Sequence, residues 1–76
     1  MANKLTQWRP LVDINGETRI FPSYAEVKKQ LRKLITESAS DEIRVLRSRR
    51  GEWGEWFEYW TFNEKGKPVI FKQGWM

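Results

Sequence analysis

The chain contains no cysteine and no histidine. Disulfides and the usual zinc sites are therefore excluded. The groups that most often act as nucleophile or general base are missing as well. No segment approaches the roughly 20 apolar residues that a membrane-spanning helix needs. The opening stretch MANKLTQWRPL carries no apolar run of signal-peptide length, so a cytoplasmic location is expected. No G-x-x-x-x-G-K-[ST] pattern marks a phosphate loop, and no metal-ligand cluster or cofactor motif stands out. Glu52, Glu55 and Glu58 offer a carboxylate pair in principle. A 76-residue chain has no deep cleft in which to set their pKa values apart. An enzyme is not expected, and no cofactor is called for.

A chain of 76 residues predicts a single domain spanning 1–76. A domain this small buries only about 60% of the surface its unfolded chain exposes. Without disulfides or metal, it must rely on packing or on a partner. Five tryptophans suit that demand, because each ring buries about 150–250 Å². With 39% hydrophobic and 32% charged residues, the balance is that of a folded protein rather than a disordered one.

The hydrophobic pattern predicts the order β-β-α-β-β-β. Asn15-Gly16 separates two strand-like runs and signals a hairpin, since both residues tolerate positive φ. A two-residue loop pairs Ile14 with Glu17. A three-residue loop pairs Ile14 with Thr18 and gives a cleaner apolar face. Pro10, which cannot donate to a ladder, suggests an edge strand. Ser23 and Glu26 form a capping box ahead of a helix over residues 24–37. Tyr24, Val27, Leu31, Leu34 and Ile35 fall on one arc of it at 100° per residue. Residues 42–49 alternate as a strand and 55–63 form the longest one. Asn63-Glu64-Lys65-Gly66 fits a type I turn with a glycine bulge before a last strand over 67–72. A three-residue loop there pairs Thr61 with Val69, Trp60 with Ile70, Tyr59 with Phe71 and Glu58 with Lys72. The expected fold is α+β, an antiparallel sheet with one amphipathic helix packed on one face.

That helix, about 21 Å long, covers one sheet face and not two. Trp56, Trp60, Phe62 and Ile70 fall on one side of the last hairpin; Phe57, Tyr59, Val69 and Phe71 fall on the other. The second face is expected to show rings to water or to be covered by a second copy, a partner, or the tail Gln73-Gly74-Trp75-Met76 folding back. Exposed apolar patches of that kind mark interaction sites.

The +4 net charge conceals a division along the chain. Lys28, Lys29, Arg32 and Lys33 form a cluster without an acid. Arg44, Arg47, Arg49 and Arg50 form a second, followed by Glu52, Glu55 and Glu58 without a base. The arginines read either as an anion-binding strip or as a cross-strand ladder with those glutamates. The lysine-rich flank reads as a phosphate site or as an ordinary solvated face. Trp53, between glycines, is better placed than Trp56 for stacking on a base or a partner. Trp8 and Trp75 read as packing residues near the termini, and Lys65-Gly66-Lys67 as turn chemistry.

Two functions fit these features. One is a nucleic-acid-binding module whose candidate residues are Lys28, Lys29, Arg32, Lys33, Arg47, Arg49, Arg50, Trp53 and Tyr59. Cations would neutralise phosphates and rings would stack on unpaired bases. No RNP or helix-turn-helix signature accompanies them, so sequence-specific readout has no support. The other is a protein-binding accessory or inhibitor, of a kind suited to a phage or mobile element, acting on a larger protein through aromatic anchors ringed by Arg and Glu. Homodimerisation is compatible with either, and no membrane partner is expected.

Overall fold

The structure, a computed structural model, describes residues 9–48 and 55–75. Five antiparallel strands form one sheet: β1 (Leu11–Ile14), β2 (Glu17–Ile20), β3 (Ile43–Ser48), β4 (Glu55–Phe62) and β5 (Pro68–Trp75). Their spatial order is β2-β1-β3-β4-β5, so β3 is central. Two short helices, α1 (Tyr24–Lys29) and α2 (Leu31–Glu37), carry the chain from the β2 edge back to β3. This is a small α+β domain, as expected from the hydrophobic pattern.

Turn chemistry settles the first hairpin. Asn15 (φ 53°) and Gly16 (φ 80°) are both left-handed, as a two-residue loop of this type requires. Ile14 therefore pairs with Glu17, and Leu11 with Ile20. The three-residue alternative, with its cleaner apolar face, is not adopted, and Ile20 is left 65% exposed. The Asn15 side chain also caps the second helix. Its Nδ2 donates to the Glu37 carbonyl (3.0 Å), and its Oδ1 accepts from the Ala39 N–H (2.8 Å). One residue thus sets the hairpin register and ties it to the helix end. The edge expected from Pro10 is not there, because β1 lies between β2 and β3. Pro10 falls before the paired register starts at Leu11, so its missing N–H leaves no gap in a ladder.

Ser23 caps α1, its Oγ accepting from the Glu26 N–H at 3.2 Å. The expected single helix is interrupted at Gln30 (φ −106°, ψ 7°). The Gln30 N–H bonds back three residues to the Val27 carbonyl (3.0 Å), tightening the turn, and Leu34 N–H resumes the four-residue pattern on Gln30 O (2.8 Å). The apolar arc survives the interruption. Val27, Leu31, Leu34 and Ile35 are buried against Val12, Ile14, Ile43, Val45 and Trp60, with Phe21 closing the cluster. Tyr24, Phe62 and Ile70 pack around it half-buried.

The last hairpin turns through Gly66 (φ 77°), with Gly66 N–H donating to Asn63 O and Asn63 N–H to Lys67 O. Thr61 pairs with Val69 and Trp60 with Ile70. The expected pairs Tyr59–Phe71 and Glu58–Lys72 are displaced by a bulge. Phe71 is the extra residue, Tyr59 pairs with Lys72 and Glu58 with Gln73. The strand then runs on through Trp75, which pairs with Trp56. Gln73–Trp75 therefore extends the sheet instead of folding back across its second face.

Asn15→Ala removes two hydrogen bonds and puts at positive φ a residue that tolerates it less well than asparagine. Urea denaturation should report a destabilisation of about 2 kcal/mol. Asn15→Gly, which suits the backbone without restoring the hydrogen bonds, should cost less.

Candidate nucleic-acid interface

Period-two alternation along β4 turns Trp56, Glu58, Trp60 and Phe62 to the helix side. Glu58 is thereby placed among rings and is only 3% exposed. Both of its carboxylate oxygens are engaged. Oε1 accepts from the Tyr24 hydroxyl (2.7 Å) and the Trp60 indole N–H (3.0 Å). Oε2 accepts from the Trp56 indole N–H (3.0 Å) and faces Arg47 Nη1 at 3.4 Å. The Arg47 guanidinium in turn lies 3.7 Å from the centre of the Tyr24 ring. Burial, and after it the hydrogen bond to Glu58, hold the Tyr24 hydroxyl well above its ordinary pKa. The neutral phenol thus contributes stability that is fully present below its unfolded pKa and is lost as pH rises through the raised folded value.

Among the described residues, the predicted ladder between arginines and glutamates is realised for Arg47 and Glu58. Arg44 turns instead to Asp13 on β1, with Nε donating to Oδ2 at 2.9 Å. Arg47, one of the candidate phosphate ligands, is thus engaged by Glu58 and Tyr24. Arg49, Arg50, Glu52 and Trp53 lie outside the described residues.

The helical cations are arranged differently. Lys28, Lys29, Arg32 and Lys33 are all exposed. Lys28 Nζ lies 5.7 Å from the Tyr24 ring centre, and Lys29 is 4.0 Å from Glu26 at the solvent-exposed face. Arg32 reaches across to the β4–β5 turn, where its Nη1 donates to the Gly66 carbonyl at 2.8 Å. That bond draws the turn, with exposed Lys65 and Lys67 on either side of Gly66, against the basic helix flank. The turn bearing Lys65 and Lys67, with exposed Glu64 beside them, is thereby brought to the helix that bears Lys28, Lys29, Arg32 and Lys33, two clusters far apart in the chain. In the sequence, Lys65 and Lys67 look like turn chemistry alone. No local pattern announces the long-range Arg32–Gly66 bond that recruits them.

Tyr59 stands on the opposite face of the sheet. The register places Ile20, Leu11, Leu46 and Phe57 in one row there, and Thr18, Asp13, Arg44, Tyr59 and Lys72 in the next. The Tyr59 ring meets Phe57 edge-on (centroids 5.6 Å) and Phe71 at a tilt (5.9 Å), with Lys72 Nζ 5.9 Å from its centre. Phe57 in turn lies over Gly74, where a β-carbon would stand 3.6 Å from the ring. Of the nine candidate residues, Lys28, Lys29, Arg32 and Lys33 share the helix–turn surface. Arg47 is committed to Glu58 and Tyr24, and Tyr59 is on the other side of the sheet.

An open depression of about 410 Å³ runs from Asp13 and Asn15 past Ser38 and Glu42 to Tyr59. Its polar groups bond to one another: Asp13 to Arg44 and Thr18, Ser38 Oγ to the Glu42 carbonyl. Among the described residues no group of three or more acidic side chains is placed to hold a metal ion, and no helix is long and apolar enough to cross a membrane. In comparison with known proteins, the chain matches no family model, no curated protein and no solved structure.

Removing one partner from the buried network leaves the groups it bonded short of a hydrogen bond. Glu58→Gln should cost about 3 kcal/mol in chemical denaturation, and Tyr24→Phe about 1.5–3 kcal/mol. Acid titration tests a second group. Burial alone would raise the Asp13 pKa, but the Thr18 hydroxyl and the Arg44 guanidinium outweigh it and hold the carboxyl below its ordinary value. Asp13 therefore contributes stability above its unfolded value of 3.8, lost as pH falls through the depressed folded one. Asp13→Asn should flatten that part of the stability–pH curve.

Proposed function

We propose that the protein is a non-enzymatic binder of nucleic acid that engages the phosphate backbone through the helix–turn surface. One observation carries the reading: the Arg32–Gly66 bond holds the turn that bears Lys65 and Lys67 against the helix that bears Lys28, Lys29, Arg32 and Lys33. Exposed cations grouped on one side of a small domain are the electrostatic footprint of polyanion binding. Such contacts work by counterion release and carry no sequence information in themselves. Tyr24, the ring beside Lys28, has its hydroxyl bound to Glu58 and its face taken by Arg47. The ring cluster of Phe57, Tyr59 and Phe71 lies across the sheet. Binding through this surface is thus read as contact with phosphates; among the described residues, the exposed helix-side ring is Trp75, at the far end of β5 beside Trp56.

A second reading, contact with another protein, is favoured by the opposite sheet face, where Ile20 is 65% and Phe71 49% exposed.

Fluorescence anisotropy with a labelled duplex of random sequence tests the first reading. Affinity should fall at least about tenfold between roughly 50 and 200 mM salt. The combined variant Lys29→Glu, Lys33→Glu, Lys65→Glu should weaken binding by more than about tenfold. Its log–log salt slope should be shallower by about 0.9 for each phosphate no longer neutralised. Tyr59→Ala should change affinity less than about twofold. Binding that is insensitive to salt, or abolished on changing Tyr59 alone, would overturn the reading.

A further inference from the structure

The sheet face away from the helices has an organisation that points to its occupant. Its apolar row Ile20–Leu11–Leu46–Phe57 crosses from the β2 edge to β4, with Phe71 beside Tyr59 at the β5 end. The helices and the buried cluster lie on the other side. The adjoining row is nearly neutral within itself: Asp13 is bound by Arg44 and by the Thr18 hydroxyl, leaving Lys72 at the margin. Such a face has little with which to address a polyanion or a strongly charged protein. It suits another apolar, internally neutralised surface.

We infer that this face is occupied by a second copy of the chain, the two sheets packing face to face in an isologous dimer. Electrostatics favours this arrangement over any other contact between like copies. Each chain carries a net charge of +4, and among the described residues the grouped, exposed cations lie on the helix–turn side, with Lys72 alone at the margin of the other. Packing through the opposite faces puts both basic surfaces on the outside, separated by two sheets about 10 Å apart. That spacing exceeds the roughly 8 Å Debye length at physiological ionic strength, so mutual repulsion is screened. Leu46 sits on the middle strand of the sheet, beside the Arg44–Asp13 pair, whose charges neutralise each other; two copies of Leu46 meet near the twofold axis.

Size sets the expected strength. Five strands about 4.8 Å apart, four to eight residues long, give the face roughly 400–500 Å² in projection. The pair then contributes about 800–1,000 Å² before side-chain relief, below the roughly 1,200 Å² of a standard interface and in the range of weak, reversible association. A micromolar dimer is expected, not an obligate one. The dimer does not depend on nucleic-acid binding. If both hold, the dimer presents two outward phosphate-binding surfaces and gains avidity on a long polyanion.

Sedimentation equilibrium of the full chain, from about 5 µM to about 1 mM, should show a concentration-dependent shift from one chain to two. Leu46→Lys should raise the dimer Kd at least about tenfold. Phe71→Lys, at a half-exposed bulge position that folding tolerates, should do the same and decides the matter if Leu46→Lys fails to fold. Lys29→Glu with Lys33→Glu, on the opposite side, should leave or strengthen the dimer. A wild-type chain that stays monomeric to about 1 mM overturns the inference and assigns the face to a different protein or to the chain's own remaining segments. A dimer unaffected by folded Phe71→Lys overturns it too, because the contact must then lie elsewhere.

Discussion

Glu58 occupies a position on β4 where alternation demands a side chain pointing into the helix layer, between two tryptophans. A carboxylate taken out of water there is costly unless its oxygens find donors. The donors come from three elements at once: Tyr24 from the first helix, Arg47 from the central strand, Trp56 and Trp60 from its own strand. The consequence is directional. A hydrophobic cluster would accept the helix in several slightly rotated settings. The four donors accept it in one, with Tyr24 above Glu58 and Arg47 stacked on the ring. Beyond the break at Gln30, Arg32 on the second helix makes a separate tie to the sheet through the Gly66 carbonyl.

The two faces of the sheet divide the protein's chemistry. One bears the helices, the buried cluster and, outermost, the grouped cations. The other bears rings and aliphatic side chains, with its charges largely paired. This separation bears on mechanisms that look alike in composition. A single-strand binder needs cations and stacking rings on the same surface. Among the described residues the grouped cations are with the helices, while Phe57, Tyr59 and Phe71 are across the sheet and Trp75 stands beside Trp56 at the end of β5.

Much of the fold is legible in the chain. The capping residue Ser23, the apolar arc from Val27 to Ile35, the Asn-Gly turn and the glycine-bulge turn at Gly66 are local signals, and each is found where its chemistry puts it. Local signals also set the limits. The first hairpin's register is ambiguous in sequence because apolar pattern and turn geometry disagree; turn geometry prevails, and Ile20 is exposed as a result. The bulge at Phe71 has no glycine or proline to announce it, so the partners of Tyr59 and Glu58 slip by one residue from those the pattern predicts. Glu58 is legible in principle, since it shares the parity of Trp56, Trp60 and Phe62. Its charge suggests a rung for the arginines instead, a role it keeps only toward Arg47 among the described residues. For the site, the helical cations are visible as a cluster. Their union with Lys65 and Lys67, and their separation from Tyr59, are products of tertiary packing that no spacing in the sequence encodes.

The bulge has one more effect. β5 is a long strand at the rim of the sheet, and its outer backbone groups face no neighbour among the described strands. A straight rim of that length is a template on which further chains can polymerise. The extra residue at Phe71 bends the strand and breaks the even spacing of its outward amides, while Pro68 offers none at the start. Fibril growth by strand addition is thereby disfavoured at its first step, and a molecule with this many accessible rings keeps its rim from becoming a seed.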